Sequence, residues 1–532
     1  MTDPRRAGRS RAEPARDWPT SDWLAHRARV SPGATALVDA EAGTERTYAE
    51  LDAAVERTAG RLASLGVRAG DHLGVVLETR PAFVRLVHAA MRLGAVLVPL
   101  NVRLARPELS RQADLAEPTL LVCEADTEAD ALALGEVPVA SVDSPTEASV
   151  AALAEREPDE FESASWSRSD PQALLFTSGT TGDPKAVELT TGNLLASATA
   201  SAFRLGVTPD DRWLLCLSMY HMGGLSVALR SALYGTTVVL QEGFDAGAAA
   251  DAVAEYAVTG VSLVPTMLRR MLDAREDWAD SLRFVLLGGA PAPEELLSRC
   301  ADRGVPVHPT YGMTETASQI ATARPREAFE HDGTVGRPLL WTDVTVVDVD
   351  ATGGEGANEN DGEPDPLPAG EVGELVVSGP TVTPGYYGDP EATDAAFGEY
   401  GLHTGDVGYR DESGRIWVLN RRSDRIVTGG ENVHPGAVVE ALRDHPDVRE
   451  AAVVGLDDDE WGERVAALVV PEAGADLSVA DVDAHCEGRL AGFERPRTVA
   501  FADELPRTAS GTVEREAVRE RLRAADGRDD GG

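Results

Sequence analysis

Short apolar runs alternate with helical patterns through the first half of the chain, and this alternation restricts the fold more than any other feature. The runs are rich in valine and leucine, which is typical of strands buried in a parallel sheet. The strands are predicted at residues 74–77, 95–98, 213–216, 237–240 and 284–287. The helices are predicted at residues 81–93, 191–203 and 223–233, and at an earlier helix that begins with the capping box of Thr47 and Glu50. We therefore expect α/β architecture with two layered subdomains.

The pattern changes after about residue 340. Alternation over residues 344–349 and 374–378 predicts a barrel-like β portion, and residues 350–370 between them are typical of an acidic surface loop, with no function assigned. Later helices are predicted at 435–444 and 479–490, and later strands at 451–454 and 465–470. A chain of 532 residues is too long for one hydrophobic core. We expect a disordered basic tail (1–17), an N-terminal domain (18–422) and a small α+β C-terminal domain (423–525).

The composition excludes several classes of partner. The formal net charge is −40, so neither nucleic acid nor an anionic membrane is expected to bind, and such acidity is typical of proteins that work in concentrated salt. No apolar run approaches the ~20 residues needed to span a bilayer, and the N-terminus lacks the apolar segment of a signal peptide. We expect a soluble, cytoplasmic protein, with homo-oligomer formation left open. Reduced thiols without a metal are expected at the four scattered cysteines, Cys123, Cys216, Cys300 and Cys486.

A loop of hydroxyls, glycines and one lysine joins two predicted strands near residue 180. Its glycines let backbone N–H groups point to one centre, and its hydroxyls and ammonium group add donors, so the loop suits a polyphosphate. It differs from the P-loop because Pro184 precedes the lysine. Lys185 is the only lysine among 49 lysine and arginine residues, which favours a required ammonium charge over an ordinary solvated turn. The loop consists of Thr177, Ser178, Gly179, Thr180, Thr181, Gly182, Asp183, Pro184 and Lys185.

A second polar motif lies at residues 311–316 and combines an aromatic ring, a glycine, hydroxyls and a carboxylate. Such groups can stack on a purine, contact a phosphate and hold Mg²⁺, although an ordinary turn can have the same composition. Further along, Asp406 follows an extended segment, where its carboxylate suits the two hydroxyls of a ribose. Together these motifs indicate a nucleotide site.

The stretch from Thr177 to Lys185 resembles the phosphate-binding signature of the adenylate-forming enzymes, which include acyl-CoA synthetases, nonribosomal peptide adenylation domains and luciferases. Ala186 stands where that family usually has glycine. The order of motifs agrees with the family over roughly residues 20–515. The resemblance implies ATP, Mg²⁺ and coenzyme A as co-substrates, an acyl-AMP intermediate, and a mobile C-terminal domain that rotates at Ser423 before the thioester forms.

The resemblance also implies roles for individual residues. Tyr311 is expected against adenine, Thr314 on the adenylate phosphate and Glu315 on Mg²⁺. Lys185, Thr314 and Glu315 are thereby candidate catalytic residues. The other nucleotide contacts implied are the loop residues 177–182, Gly289, Ala290, Gly312, Asp406 and Arg421, and those along the path of coenzyme A are Gly429 and Gly430.

Several segments resemble one branch of this family, the 2-succinylbenzoate:CoA ligases of menaquinone synthesis. They lie at residues 211–215, 286–293, 314–320 and 421–424. In the family, the position of His221 gates the acyl pocket, so we assign His221 to gating and to positioning the substrate carboxylate. Gly288, Ser318 and Gln319 are expected at the acyl substrate, where polar groups favour a small aromatic diacid over a fatty acid.

The chain departs from the family near its C-terminus. Thr512 stands where a lysine normally reaches into the adenylation site, and an oriented cation there can contribute several kcal/mol. Arg507 or Arg515 could replace it, or a high cytoplasmic cation concentration could lessen the need. The alternatives are another aryl- or acyl-CoA ligase and, from a different class, a nucleotide-binding relative without turnover.

Overall fold

The computed structural model describes residues 22–178, 184–275, 278–348, 366–421, 426–428, 431–433, 435–458, 461–487, 489–507 and 513–526. Within the described residues before 206, the elements are α1 (Trp23–Val30), β1 (Thr35–Asp39), β2 (Thr44–Thr47), α2 (Tyr48–Ser64), β3 (His72–Val76), α3 (Pro81–Leu93), β4 (Val96–Pro99), α4 (Arg106–Ala116), β5 (Leu120–Cys123), α5 (Glu128–Leu132), β6 (Val139–Ser141), β7 (Ala151–Ala152), β8 (Pro171–Ser178), β9 (Pro184–Thr190) and α6 (Thr191–Leu205).

The elements that follow, up to residue 348, are β10 (Arg212–Leu215), α7 (Met222–Tyr234), β11 (Thr237–Leu240), α8 (Ala246–Glu255), β12 (Gly260–Leu263), α9 (Pro265–Ala274), β13 (Phe284–Leu287), α10 (Glu294–Asp302), β14 (Val307–Tyr311), β15 (Ala321–Thr322), α11 (Pro325–Glu330), β16 (Thr334–Pro338) and β17 (Asp343–Val347). The last elements are β18 (Gly373–Ser378), α12 (Pro390–Ala396), β19 (Phe397–Gly398), β20 (Gly401–Arg410), β21 (Ile416–Arg421), β22 (Ile426–Thr428), β23 (Glu431–Val433), α13 (Pro435–Arg443), β24 (Val448–Asp458), β25 (Gly462–Pro471), α14 (Val479–Cys486), β26 (Thr498–Phe501) and α15 (Arg515–Asp526).

Seven strands of the described chain form the first sheet, in the order β7-β6-β5-β3-β4-β8-β9. Its neighbouring strands are parallel except for β8 and β9, which form an antiparallel hairpin. Because β8 runs parallel to β4, with Ala173 paired to Leu97, the connection after β8 lies at the carboxyl edge of the parallel strands. This is the edge at which open α/β sheets bind ligands.

The second sheet has fourteen strands in the described chain and continues from parallel into antiparallel pairing. β13 lies parallel to both β12 and β14, and Leu287 at the end of β13 pairs with Pro309. Gly288 and Gly312, which follow these two strands, therefore lie near one edge of the sheet. From β15 to β21 the pairs are antiparallel, which confirms the predicted β portion of the chain.

The two sheets share an apolar core with helices α2 and α3. Tyr48, Phe83, Trp213 and Phe284 are the largest of its fully buried side chains. The Tyr48 hydroxyl donates to the carbonyl oxygen of Ser231 at 2.9 Å, so its polar atom is satisfied inside the core. This packing joins the helical layer of the first sheet to α7 beside the second.

A third sheet belongs to the C-terminal part of the chain. Its order in the described residues is β23-β22-β25-β24, and β26 also pairs with β25, in parallel. Alternate residues of β24 face opposite sides, as the pleat requires. Val453 packs with α13 and α14, whereas Val454 packs with α15. This sheet therefore has its own two-sided core, as expected for the predicted α+β unit.

Most predicted elements are confirmed, including a helix at Pro81–Leu93. Helix α14 ends at Cys486, before the predicted residue 490, because the backbone of Glu487 is extended. All four cysteines are buried and free, as predicted. The predicted tail, most of the acidic loop and Ser423 lie outside the described residues. Of the helices that are described, none is long and apolar enough to cross a membrane.

Candidate active site

The hairpin of β8 and β9 holds Lys185 at the carboxyl edge of the first sheet. Thr177 and Lys185 pair across the two strands. Gly179, Thr180, Thr181 and Gly182 lie outside the described residues, so the predicted phosphate loop is defined only at its two ends. The ammonium nitrogen of Lys185 lies 4.9 Å from the centre of the Tyr386 ring, a cation–π distance. Within the described residues, no carboxylate forms an ion pair with this ammonium group.

Tyr386 belongs to a segment that runs beside β9. The backbone N–H of Glu188 donates to the carbonyl of Gly385 at 3.1 Å, and that of Tyr387 donates to Ala186 at 2.8 Å. The backbone N–H of Thr383 donates to the carbonyl of Glu315 at 2.7 Å. The segment therefore connects the lysine strand to the turn that carries Glu315.

Glu315 is a buried carboxylate, with 6% of its surface exposed. It accepts a hydrogen bond from the Tyr386 hydroxyl at 3.2 Å. Burial raises the pKa of Glu315, while its own backbone N–H, the Tyr386 hydroxyl and the charges of Arg421 and Lys185 act in the opposite direction. No cluster of three or more potential metal ligands exists in the described chain. A divalent cation at Glu315 would take its other oxygen ligands from a bound phosphate and from water, a ligand set that suits Mg²⁺.

Tyr311, Asp406 and Arg421 form one network, as the proposed common site requires. The Tyr311 hydroxyl donates to Asp406 Oδ2 at 2.6 Å, and Arg421 Nε donates to Asp406 Oδ1 at 2.8 Å. Asp406 and Arg421 face each other across β20 and β21. Burial raises the pKa of Asp406, and the charge of Arg421 counteracts this. Each carboxylate oxygen keeps a further lone pair for a ligand hydroxyl.

The turn between β14 and β15 has a backbone shape that demands glycine at its start. A Cβ atom on Gly312 would lie 1.6 Å from the carbonyl oxygen of Ser318. Ala317 and Ser318 have positive φ angles of 50° and 113°, which are strained for residues other than glycine. A hydrogen bond of 2.6 Å from Ser197 Oγ to the Ala317 carbonyl holds this conformation. The turn places Thr314 one residue before Glu315 in a 3₁₀ turn.

The end of β13 adds Gly288, Gly289 and Ala290 to the same edge. A Cβ atom on Gly288 would lie 2.7 Å from Cγ2 of Thr310, which precedes Tyr311 in β14. Gly289 has a φ angle of +79°. Close approach between the two strand ends therefore accounts for the paired glycines, and it places these residues beside the Tyr311 motif.

His221 is the N-cap residue of α7 and retains substantial exposure. Its ring packs edge-on against Tyr220, with ring centres 4.9 Å apart. The surrounding protein, and secondarily the charge of Arg103, lowers the pKa of His221. The imidazole is therefore neutral at physiological pH, which suits a gate better than a cationic acid.

A buried arginine that the sequence reasoning missed lies beside the predicted acyl residues. Arg230 Nη1 donates to Gln319 Oε1 at 3.1 Å, and Arg230 Nη2 donates to Ser197 Oγ at 2.8 Å. Arg230 is 3% exposed, and burial lowers its pKa. Among the described residues, no carboxylate forms an ion pair with it. It is the only charged residue in the apolar sequence of α7, a signal that could have identified it.

The two arginines considered as replacements for the missing lysine have different surroundings. Arg507 Nη2 donates to Glu450 Oε1 at 3.1 Å, and Arg269 of α9 contacts the same oxygen at 3.4 Å. Arg515 has a pKa lowered to about 10 by burial and by the charges of Arg519 and Arg421. Arg515 therefore lies close enough to Arg421, the arginine of the nucleotide network, for their charges to interact. Thr512, Gly429 and Gly430 lie outside the described residues.

Two family profiles match the chain. The AMP-binding enzyme profile covers residues 24–387, and the profile of the AMP-binding enzyme C-terminal domain covers residues 438–512. The chain is 38% identical over 501 residues to the 2-succinylbenzoate–CoA ligase of Bacillus cereus (strain Q1), a match that covers 94% of this chain and 98% of that protein.

Solved structures give the same picture. The o-succinylbenzoate CoA synthetase (MenE) of Bacillus subtilis in complex with the acyl-adenylate intermediate OSB-AMP matches with a TM-score of 0.83 and 36% identity, over 94% of this chain and 98% of that one. The same enzyme in complex with ATP and a magnesium ion matches with a TM-score of 0.82 and 35% identity, over 94% and 99% of the two chains.

Proposed function

The chain belongs to the AMP-binding enzyme family, and on this premise we propose that it is an ATP-dependent 2-succinylbenzoate:CoA ligase of menaquinone biosynthesis. The reaction first joins the acid to AMP and then transfers the acyl group to coenzyme A. The observation that carries the choice of acid is Arg230, a buried cation without a carboxylate partner in the described chain, next to Gln319. A diacid supplies a second carboxylate for this cation, whereas a fatty acid does not.

ATP would bind along the edge where the two sheets present their strand ends. Lys185 and the loop residues 177–182 would hold the phosphates, since an ammonium group and backbone N–H groups suit them. Tyr311, with Gly289 and Ala290 beside it, would contact adenine, and Asp406 with Arg421 would bind the ribose. Bound Mg²⁺ would neutralise charge on the phosphates, with Glu315 as its protein ligand.

The acid would lie between α7 and the turn after Tyr311. Arg230 would pair with the carboxylate that does not react, and Ser318 and Gln319 would add polar contacts. The reacting carboxylate would then point towards Thr314, and His221 would close the pocket. The strained backbone at Ala317 and Ser318 supports this placement, because such strain is concentrated at functional sites.

In the first step, an oxygen of the reacting carboxylate attacks the α-phosphorus of ATP and pyrophosphate leaves. Negative charge builds on the phosphoryl oxygens, and Lys185 stabilises it. We propose that Arg515, not Arg507, supplies the cation that Thr512 cannot. Arg507 shares Glu450 with Arg269, whereas Arg515 lies within electrostatic range of Arg421.

In the second step, the thiolate of coenzyme A attacks the acyl carbonyl and AMP leaves. Rotation of residues 423–525 about Ser423 would remove Arg515 from the site and bring Gly429 and Gly430 to line the path of the thiol. One pocket would then serve both steps. The acidic composition supports work in a cytoplasm of high salt.

The test is pyrophosphate release and CoA-thioester formation by the purified protein in molar KCl, with 2-succinylbenzoate, benzoate or octanoate. We expect turnover with 2-succinylbenzoate and little with the two monoacids. Equal turnover of a monoacid would favour another acyl-CoA ligase. ATP binding without pyrophosphate release for any acid would favour a nucleotide-binding relative without turnover.

A further inference from the structure

A basic pocket lies on the helical layer of the first sheet, and it includes no residue of the candidate active site. Its walls come from α2, α3, the residue after β6 and the 3₁₀ turn Leu153–Glu155. The lining combines aliphatic side chains with two guanidinium groups and one hydroxyl. The lining residues used below are Thr58, Arg61, Ala82, Arg85, Val142 and Leu153.

Arg85 is the unusual residue of this pocket. It is half-buried, and within the described residues it forms neither a hydrogen bond nor an ion pair. Burial, and then the charges of Arg46, Arg80, Arg61 and Arg57, lower the pKa of Arg85. The charges that lower it most are therefore those of other arginines. A half-buried cation among cations is costly unless an anion binds there.

Three carboxylates near this arginine cluster, those of Glu124, Asp143 and Glu50, are engaged by Arg80 or by a helix cap. Arg80 pairs with Glu124 at 2.8 Å and with Asp143 at 2.9 Å, which neutralises that arginine. Glu50 accepts the backbone N–H of Thr47 at 2.8 Å as part of the capping box of α2.

The remaining arginines of the cluster lack such partners. Arg61 Nε donates to the backbone carbonyl of Arg156 at 3.1 Å, a neutral acceptor. Arg57 is exposed and forms no ion pair in the described part of the chain. Glu45, which lines the adjoining surface groove with Arg57, lies 3.9 Å from Arg212. Among the described residues, Arg57, Arg61 and Arg85 thus form no ion pair, in a chain whose formal net charge is −40.

We propose that this pocket binds a phosphate-type oxyanion, held by Arg61 and Arg85, with Arg57 one helical turn before Arg61 on α2. A guanidinium group can donate two parallel hydrogen bonds to two oxygens of one phosphate. The aliphatic wall at Ala82, Val142 and Leu153 strengthens the electrostatic attraction by excluding water. The cavity and its open mouth together span about 340 Å³, part of which is open solvent, so the enclosed part takes only a small anion or one end of a larger ligand. The anion is therefore free phosphate, pyrophosphate or the phosphoryl group of a nucleotide whose remainder stays outside.

The test compares the wild type with Arg61→Gln/Arg85→Gln and with Arg111→Gln, which alters an exposed arginine of α4 that has no ion pair in the described residues. Calorimetric titrations with phosphate, pyrophosphate and coenzyme A, at one fixed KCl concentration, count the sites per chain. The active site is intact in all three proteins. We expect the wild type and Arg111→Gln to bind one more equivalent than the double variant, or the double variant to bind it roughly tenfold or more weakly.

The ligand that titrates most tightly at this extra site identifies the source of the phosphate. Equal stoichiometry and affinity in all three proteins would overturn the proposal. Binding of poly-glutamate, but not of phosphate ligands, at the same arginines would overturn it in favour of an acidic peptide.

Thermal unfolding gives a second readout that does not depend on the active site. Without phosphate, the double variant should unfold at a higher temperature than the wild type, because it lacks the repulsion between the charges of Arg61 and Arg85. Added phosphate should raise the midpoint of the wild type and of Arg111→Gln more than that of the double variant, at matched ionic strength. An identical rise in all three would contradict the proposal.

Discussion

Arg92 and Arg230 are equally buried, with 3% exposed, yet their surroundings differ completely. Arg92 pairs with three carboxylates, those of Asp22, Asp52 and Glu56. Arg230 donates only to neutral side-chain oxygens among the described residues. The pKa of Arg92 is raised by these partners against the effect of burial, whereas burial lowers the pKa of Arg230.

This difference separates a structural cation from a binding one. The charge of Arg92 is balanced inside the protein, where it joins α1, α2 and α3. Arg230 donates only to neutral acceptors within the described chain. An anionic ligand would therefore balance the charge of Arg230 in the way that Asp22 balances the charge of Arg92. Four predictions test the contrast.

The largest effect is expected for Arg92→Met. The substitution leaves Asp22, which is 5% exposed, without its 2.7 Å partner. We expect a loss of about 3–5 kcal/mol in the free energy of unfolding, since an uncompensated buried charge remains. Urea denaturation checks this, with Arg111→Met as the control. The KM for the acid should not change, and an unchanged midpoint would show that the three ion pairs contribute nothing.

Arg230→Met should give the opposite result. Removal of an unbalanced buried charge should leave the free energy of unfolding unchanged or higher. The kcat/KM for 2-succinylbenzoate should fall, because two charge-assisted hydrogen bonds are lost. The corresponding loss of transition-state stabilisation is about 2–4 kcal/mol. Steady-state kinetics and ATP titration check this, with Arg230→Lys expected to rescue part of the loss. A large loss of stability with unchanged kcat/KM would make Arg230 structural.

The same reasoning separates Arg515 from Arg507. Arg515→Gln should raise the free-energy barrier to acyl-AMP formation by about 1.5–3 kcal/mol, because it removes a cation near the nucleotide. Arg507→Gln should have a smaller effect on this step, since Arg507 pairs with Glu450. Single-turnover pyrophosphate release measures acyl-AMP formation, and thioester formation from supplied acyl-AMP is the control. Equal losses in the two variants would contradict the assignment.

The smallest effect concerns Glu315, a buried carboxylate without an ion pair in the described chain. Its pKa is raised from 4.5 by burial, so the carboxylate becomes protonated at a higher pH than an ordinary glutamate. Apparent Mg²⁺ affinity should therefore fall as the pH falls through this raised pKa, and recover above it. Titrations of Mg²⁺ at several pH values check this. In Glu315→Gln the pH-dependent part should disappear, and its persistence would assign the titration to another group.

The sequence was a good guide to elements with strong local signals. The apolar runs identified α3, β11 and β13, and the capping box of Thr47 and Glu50 identified the start of α2, because period and caps are local properties. The Tyr311 and Asp406 motifs, both predicted at the nucleotide site, are in contact, because Tyr311 at the end of β14 donates to Asp406 within β20. The phosphate loop and Thr512 lie outside the described residues, and their roles stay predictions.

Two contacts could not be predicted from the sequence. Tyr386 lies near Lys185 only because residues 383–387 run beside β9, and no local pattern encodes a pairing across that separation. Arg230 stood out in the sequence only as the one charged residue of α7, in a chain rich in arginine. Its meaning depends on burial and on missing carboxylates, which are properties of packing.

The most direct test of the account measures CoA-thioester formation from 2-succinylbenzoate and from 4-oxo-4-phenylbutanoate, which lacks the aromatic carboxylate, by the wild type and by Arg230→Met. We predict that the wild type prefers the diacid by roughly 100-fold or more in kcat/KM, because the monoacid leaves Arg230 unpaired. The preference should largely disappear in Arg230→Met. Equal use of both acids by the wild type, or an undiminished preference in the variant, would contradict the account.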